Sequence, residues 1–83
     1  MKKPKFPHHR IVQLYWLDIT GHEDTWTEQK DIKPDPTHVL SVGYLVHEDD
    51  HYVVLAEGVS ADKGYNQLST FPKGCIVNMK ELT

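Results

Sequence analysis

Two short segments of this 83-residue chain combine histidine and carboxylate side chains at spacings that could hold a metal ion. Imidazole nitrogens and carboxylate oxygens are ligands of zinc and of neighbouring transition ions. The segments are VHEDDHY (46–52) and GHEDTW (21–26), and their candidate ligands are His47, Asp49, His51, His22 and Asp24. A metal site therefore depends on how the fold orients these side chains.

A β-hairpin turn explains the segment 46–52 without a metal. Asp49 and Asp50 separate two strand-like runs, and an acidic two-residue turn keeps the tip of such a hairpin in water. With this turn His47 and His51 point to opposite faces, because side chains alternate along strands, and they cannot share an ion. A three-residue turn would pair them and restore the metal alternative. We favour the two-residue turn and expect no metal site and no cofactor.

Nucleophilic side chains are present, but their spacing matches no recognised catalytic arrangement. The chain has three serines, Cys75 and six histidines, and it contains neither a G-x-S-x-G motif nor a P-loop. Cys75 stands in the apolar run CIVNM, which favours a small buried hydrophobe over a reactive thiol. Asp49 and Asp50 lie at a turn that we expect to be exposed, where burial does not shift the pKa values of a carboxylate pair as acid–base catalysis requires. We therefore predict that the protein is not an enzyme.

Length, cysteine content and charge narrow the class of protein. A chain of 83 residues is one small domain that buries only about 60% of its unfolded surface. A single cysteine allows no intramolecular disulfide and indicates a reducing compartment. We recognise no signal peptide and no membrane-spanning stretch, so we expect a cytoplasmic protein without a membrane partner. The net charge of −3 opposes binding to nucleic acid.

Five short apolar runs predict β-strands. The first places Val12, Leu14 and Trp16 on one face, and its other face is also largely apolar, as in a central strand. Residues 72–74, PKG, predict a tight turn before the last run. The five runs are residues 10–18, 38–48, 51–58, 67–71 and 75–82.

The second and third runs are expected to form a hairpin. A two-residue turn between them pairs Leu45 with Val54. Gly43 inside the first of these strands indicates a bulge or a sharp bend, since glycine weakens a strand unless its geometry is needed. Strongly bent strands are typical of small barrels.

The long connection over residues 22–38 does not resemble a strand. Thr25 and Glu28 have the spacing of a helix capping box, and Pro34 stops a helix, so we expect one short helical turn. Trp26 at its start is expected to fold inward as a hydrophobic lid.

These elements predict an all-β fold: a small, strongly bent, five-stranded SH3-like barrel with a short helical turn in the first long loop. An OB-like barrel is the alternative, although the connection after the third strand is too short and turn-rich for the helix that OB barrels carry. Residues 1–9 are expected to form a flexible basic arm, and residues 10–83 a single barrel domain.

Three stretches carry a resemblance to a known group of proteins: IVQLYWLDITGHEDTW, SVGYLVHEDDHYVVLA and FPKGCIVNMKEL. Their layout is similar to that of small accessory proteins of tailed bacteriophages, which have a W-x-D strand, a second Trp, an S-V-G-[YW]-L strand, an acidic hairpin and an I-P-x-x-x-I ending. The resemblance runs from about Ile11 to Leu82, with Phe71 in place of the usual isoleucine. It implies a phage or prophage origin and a role in the host cytoplasm, and it supplies no catalytic residues.

Large aromatic rings are numerous for so small a core, and rings left outside a core favour a recognition surface. The candidate binding residues are Tyr15, Trp26, Tyr44 and Tyr65. In the structural alternative, Trp16 and Trp26 simply fill the barrel and its lid.

We expect a non-enzymatic accessory protein that binds a host or phage protein, with a role in host takeover or in countering host defence. The alternative is a small-molecule or nucleotide-binding protein with its site at a subunit interface, for which the available cations are Arg10, Lys63, Lys73 and Lys80. Because the core is thin and has no disulfide, we also expect a dimer formed by pairing of the final strand CIVNM with its symmetry mate.

Treatment with a chelator is expected to leave the folded state unchanged. A structural ion contributes on the order of 10 kcal/mol to a domain of this size, so its removal would unfold the chain. Thermal denaturation with and without chelator tests this expectation, and a large fall in Tm that metal add-back reverses would contradict it.

Overall fold

The computed structural model describes residues 3–21 and 25–82, and within them the chain forms one five-stranded antiparallel sheet. The strands are β1 (Ile11–Asp18), β2 (Thr37–Glu48), β3 (Tyr52–Ser60), β4 (Gly64–Pro72) and β5 (Ile76–Glu81). Two 3₁₀ turns, Gln29–Asp31 and Lys73–Cys75, complete the regular structure of these residues. The all-β prediction is confirmed. No helix in the described ranges is long and apolar enough to cross a membrane.

The sheet is not closed, and the SH3-like barrel that we predicted is not confirmed. Its strand order is β4-β3-β2-β1-β5, and β4 and β5 are the two edges among the described strands. Pro72 ends β4 and only the 3₁₀ turn separates it from β5, so this turn carries the chain from one edge to the other. The edges therefore meet at a corner, and β5 forms its ladder with β1 instead of closing the sheet onto β4.

The sheet is nevertheless strongly curled. The rings of Trp16 on β1 and Phe71 on β4 are in edge-to-face contact, with their centroids 5.0 Å apart. In a flat sheet these strands would lie about 14 Å apart, because β2 and β3 separate them. The curl gives the sheet a concave face, which holds the core, and a convex face.

The first strand presents the face that its alternation predicts. Val12 and Leu14 are 1% and 0% exposed, and Trp16 packs beside them. The buried cluster on the concave face consists of Val12, Leu14, Leu45, Val53, Leu55 and Phe71, with Trp16, Ile76 and Met79 partly buried against it. This core is small, as expected for a chain of this length.

The hairpin register differs from our prediction. Glu48 pairs with Val53, whereas a turn of Asp49 and Asp50 alone would pair it with His51. Leu45 pairs with Leu55, not with Val54, and the register shifts again between Leu45 and His47. The shift leaves Val46 as the extra residue of a bulge. It lets Leu45, Leu55 and Val53 all face the core, which a regular two-residue hairpin would not allow.

Gly43 has a role, although the bulge lies three residues beyond it. A Cβ atom at this position would lie 3.0 Å from the carbonyl oxygen of Ala56 and 3.1 Å from Cβ of Leu55. The absence of a side chain therefore allows β2 and β3 to approach closely where the sheet curls.

The connection between β1 and β2 contains the expected helical turn but not the expected lid. The turn spans Gln29–Asp31, and the side chain of Glu28, its first flanking residue, makes no capping hydrogen bond. Trp26 is 92% exposed, so the prediction that its ring covers the core is wrong. Phe71 instead packs against Trp16 in the core.

Leu14→Ala is expected to lower the free energy of unfolding by about 2–5 kcal/mol, because it empties the centre of a small, close-packed core. Leu82→Ala removes the same atoms where the side chain is 44% exposed, and it is expected to cost much less. Chemical denaturation of both variants provides the measurement. Equal losses for the two variants would show that Leu14 does not occupy the core.

Candidate functional site

The acidic hairpin tip is held by the carboxylate of Asp49. Its Oδ1 atom accepts hydrogen bonds from the backbone N–H groups of His51 and Tyr52, each at 2.8 Å. Its Oδ2 atom lies 2.7 Å from Nε2 of His47, which donates to it. The hydrogen bond from His47, followed by those from the two backbone groups, lowers the pKa of Asp49 from 3.8 to about 2. These residues therefore form a structured turn.

The metal alternative gains no support from this geometry. In the described part of the chain, no group of three or more His, Cys, Asp or Glu side chains is placed to hold an ion. His22 and Asp24 lie outside the described residues.

Tyr15 belongs to a chain of hydrogen bonds near the point where β1 ends and β2 begins. Its hydroxyl lies 2.6 Å from Nδ1 of His38, and Nε2 of His38 lies 3.3 Å from Oδ1 of Asp35. The arrangement fits donation from Tyr15 to the imidazole and from the imidazole to the carboxylate. Because His38 and Asp35 are 53% and 81% exposed, water reaches both, and the chain of bonds serves to orient the Tyr15 ring.

A shallow groove of about 400 Å³ lies beside this ring and is lined by Tyr15, His38, Val39 and Leu40. The groove continues the convex face, where the strand register also places Tyr44, two positions from Val42. Tyr15 and Tyr44 thus share one surface. That surface is mainly apolar, since Leu40, Val42 and Leu68 are 64%, 57% and 57% exposed.

Tyr65 and Trp26 lie elsewhere. The Tyr65 hydroxyl is 3.0 Å from Nε2 of His9, and the two rings meet edge to face. This contact ties the last residue of the N-terminal arm to β4. Trp26 projects from the long connection, which also exposes Ile19 by 93% and Ile32 by 51%. The four predicted residues therefore divide among the convex face, the edge strand β4 and the loop.

Two of the four candidate cations are engaged in ion pairs where the core opens to solvent. Arg10 approaches Glu48 at 3.8 Å and Glu81 at 4.0 Å, and Lys73 lies 3.2 Å from Glu48. Next to these pairs is a cavity of about 210 Å³. Lys63 instead lines a separate groove of about 340 Å³ at the β3–β4 turn, together with Ser60, Tyr65 and Asn66.

Neither a family model, a curated protein nor a solved structure matches this chain. The candidate site therefore rests on its own geometry. Sequence reasoning did not identify Leu40, Val42 and Leu68 as surface residues. The apolar character of both faces of β1 was visible, but it indicated full burial on both sides, whereas one face of this strand is only partly buried.

Asp49 is expected to make stability depend on pH in the acid range. Its pKa is about 2 in the folded chain and ordinarily 3.8, so the ionised group stabilises the fold above about pH 4. This contribution is lost as the pH falls from about 4 to about 2. The difference in unfolding free energy between the parent and Asp49→Asn should therefore shrink over this range in chemical denaturation.

Asp50→Asn is the matched control, because it removes a carboxylate from the same turn without removing the hydrogen bonds made by Asp49. His47→Ala should raise the NMR titration midpoint of Asp49 toward 3.8, since the His47 hydrogen bond is the main cause of the shift. An unchanged midpoint in His47→Ala would show that the imidazole does not hold the carboxylate.

Proposed function

We propose that this chain is a non-enzymatic binding protein that acts on a host or phage macromolecule, and that Trp26 anchors the contact. The observation that carries the proposal is the 92% exposure of the Trp26 ring. Tryptophan is enriched among the residues that dominate binding energy, because it buries a large area with few rotatable bonds. The same chain packs its other tryptophan, Trp16, against the core.

The loop around Trp26 supports this role. The connection between β1 and β2 runs from residue 19 to residue 36. Loops longer than roughly 15 residues are uncommon in compact domains, and those that occur are often functional. Ile19 and Ile32 are also exposed on it, at 93% and 51%. Burial of each of these apolar side chains by a partner would gain free energy.

Charge favours a basic partner surface. The chain has a net charge of −3, and carboxylates of Asp49 and Asp50 stand at the exposed hairpin tip. A negative field steers positively charged surfaces toward the protein and raises the rate of encounter. We propose a basic, nucleic-acid-binding surface of a host protein as the target class.

The proposed origin is a phage or prophage, on the sequence layout described above, and the proposed location is the host cytoplasm. An SH3-like barrel remains the proposed fold type, in a form that is incompletely closed. Its support is the strong curl of five antiparallel strands and the 3₁₀ turn Lys73–Cys75 immediately before the last strand. We also propose that the chain self-associates.

A small-molecule or nucleotide-binding role is the second candidate function. The groove at the β3–β4 turn favours it, because Lys63, Tyr65 and Asn66 provide a cation, a ring and an amide along one wall. Engagement of Arg10 and Lys73 with Glu48 weighs against it, since these cations are already paired.

Trp26→Ala is expected to weaken binding to the purified partner by about 30-fold, the value of a 2 kcal/mol anchor. Its Tm should change little, because a ring that is 92% exposed contributes little to packing. Affinity capture from bacterial lysate identifies the partner, and titration calorimetry with the purified proteins gives the dissociation constant.

Phe6→Ala is the matched control, since it removes another exposed ring, at 61%, from the N-terminal arm. It should leave the affinity unchanged. Equal affinity for Trp26→Ala and the parent would refute the anchor. A large rise in Tm with nucleotides, in the absence of any protein partner, would instead favour the second candidate function.

A further inference from the structure

The convex face of the sheet leaves large apolar side chains in water. Leu40 and Val42 are 64% and 57% exposed, and Leu68 is 57% exposed. Leu40 and Val42 pair with Tyr15 and Gln13, which alternate along β1 with the core residues Val12 and Leu14, so both point away from the core. Exposed apolar patches of this kind mark interaction surfaces on folded domains.

The convex face of β1 and β2 bears no Asp, Glu, Lys or Arg, although Lys80 of the edge strand β5 pairs with Gln13 and shares this face. Its positions on β1 and β2 include Ile11, Gln13, Tyr15, Leu17, His38, Leu40, Val42 and Tyr44. A charged partner would find no complementary charge on these strands. A second copy of this chain, which also has a net charge of −3, can meet them without placing like charges opposite each other.

The sheet edges are less suitable for pairing than this face. The edge strand β5 has six residues, and its register with β1 shifts at Val77. The opposite edge, β4, is interrupted by Gln67, whose φ of 50° lies in the left-handed region. Such irregularities disturb the regular row of N–H and C=O groups that edge-to-edge pairing requires. They argue against the contact through CIVNM that the sequence led us to expect.

We propose that two copies of this chain pair through their convex faces, as two sheets packed face to face about a two-fold axis. Leu40 and Val42 form the centre of the contact, and the groove of about 400 Å³ beside Tyr15 receives side chains of the partner copy. The pair would present two Trp26 loops, but the contact itself does not depend on the proposed binding role of Trp26.

Sedimentation equilibrium over a dilution series tests this contact with two matched variants. Val42→Lys places a charge on the convex face, whereas Val77→Lys places one on the edge strand at similar exposure, 57% against 52%. The parent is expected at about twice 9.6 kDa. Val42→Lys is expected at the monomer mass, with the dimer dissociation constant raised at least about tenfold. Val77→Lys is expected to remain a dimer.

Circular dichroism shows whether each variant is folded. If Val42→Lys unfolds, Leu40→Gln replaces it, because it keeps the side-chain size while making the same face polar. A parent that is monomeric at every concentration overturns the proposal, whether the face is then covered by the chain's own loop or by a different protein. Dissociation by Val77→Lys, or a folded convex-face variant that stays dimeric, overturns it equally.

Discussion

The edge-to-face contact between Trp16 and Phe71 is the interaction on which the shape of the sheet depends. It joins β1 to β4 across two intervening strands, and the Trp16 indole N–H also donates to Oγ of Ser41 at 3.0 Å, which fixes the ring. Gly43 permits the close approach of β2 and β3 at the same bend. Together these residues curl the sheet far enough to cover Leu14 completely, without requiring that the strands close into a barrel.

The curl places the two faces of the sheet in different environments. All the apolar residues of the concave face pack against one another, so a single curled sheet forms the core without a second layer. On the convex face of the same strands, Leu40 and Val42 remain largely exposed. Trp26 is also exposed, and the ring that packs beside Trp16 is that of Phe71. A small core thus leaves two apolar surfaces for other molecules.

The polar residues at the hairpin tip, which first suggested a metal site, form hydrogen bonds that hold the turn. Asp49 accepts two backbone N–H groups and the His47 imidazole, and this network shapes the hairpin tip and lowers the pKa of Asp49. At the other end of β2, His38 links Tyr15 to Asp35 in the same way. In both places a surface histidine contacts a carboxylate.

The sequence by itself determined the features that depend on neighbouring residues. Alternation in β1 identified Val12, Leu14 and Trp16 as the core face, and the acidic pair marked the hairpin turn, because side-chain direction and turn formation are local properties. Tertiary structure decided the bulge at Val46, the open edges and the position of Trp26. These depend on which distant residues fill the core, above all on Phe71 reaching Trp16, and local patterns do not encode such contacts.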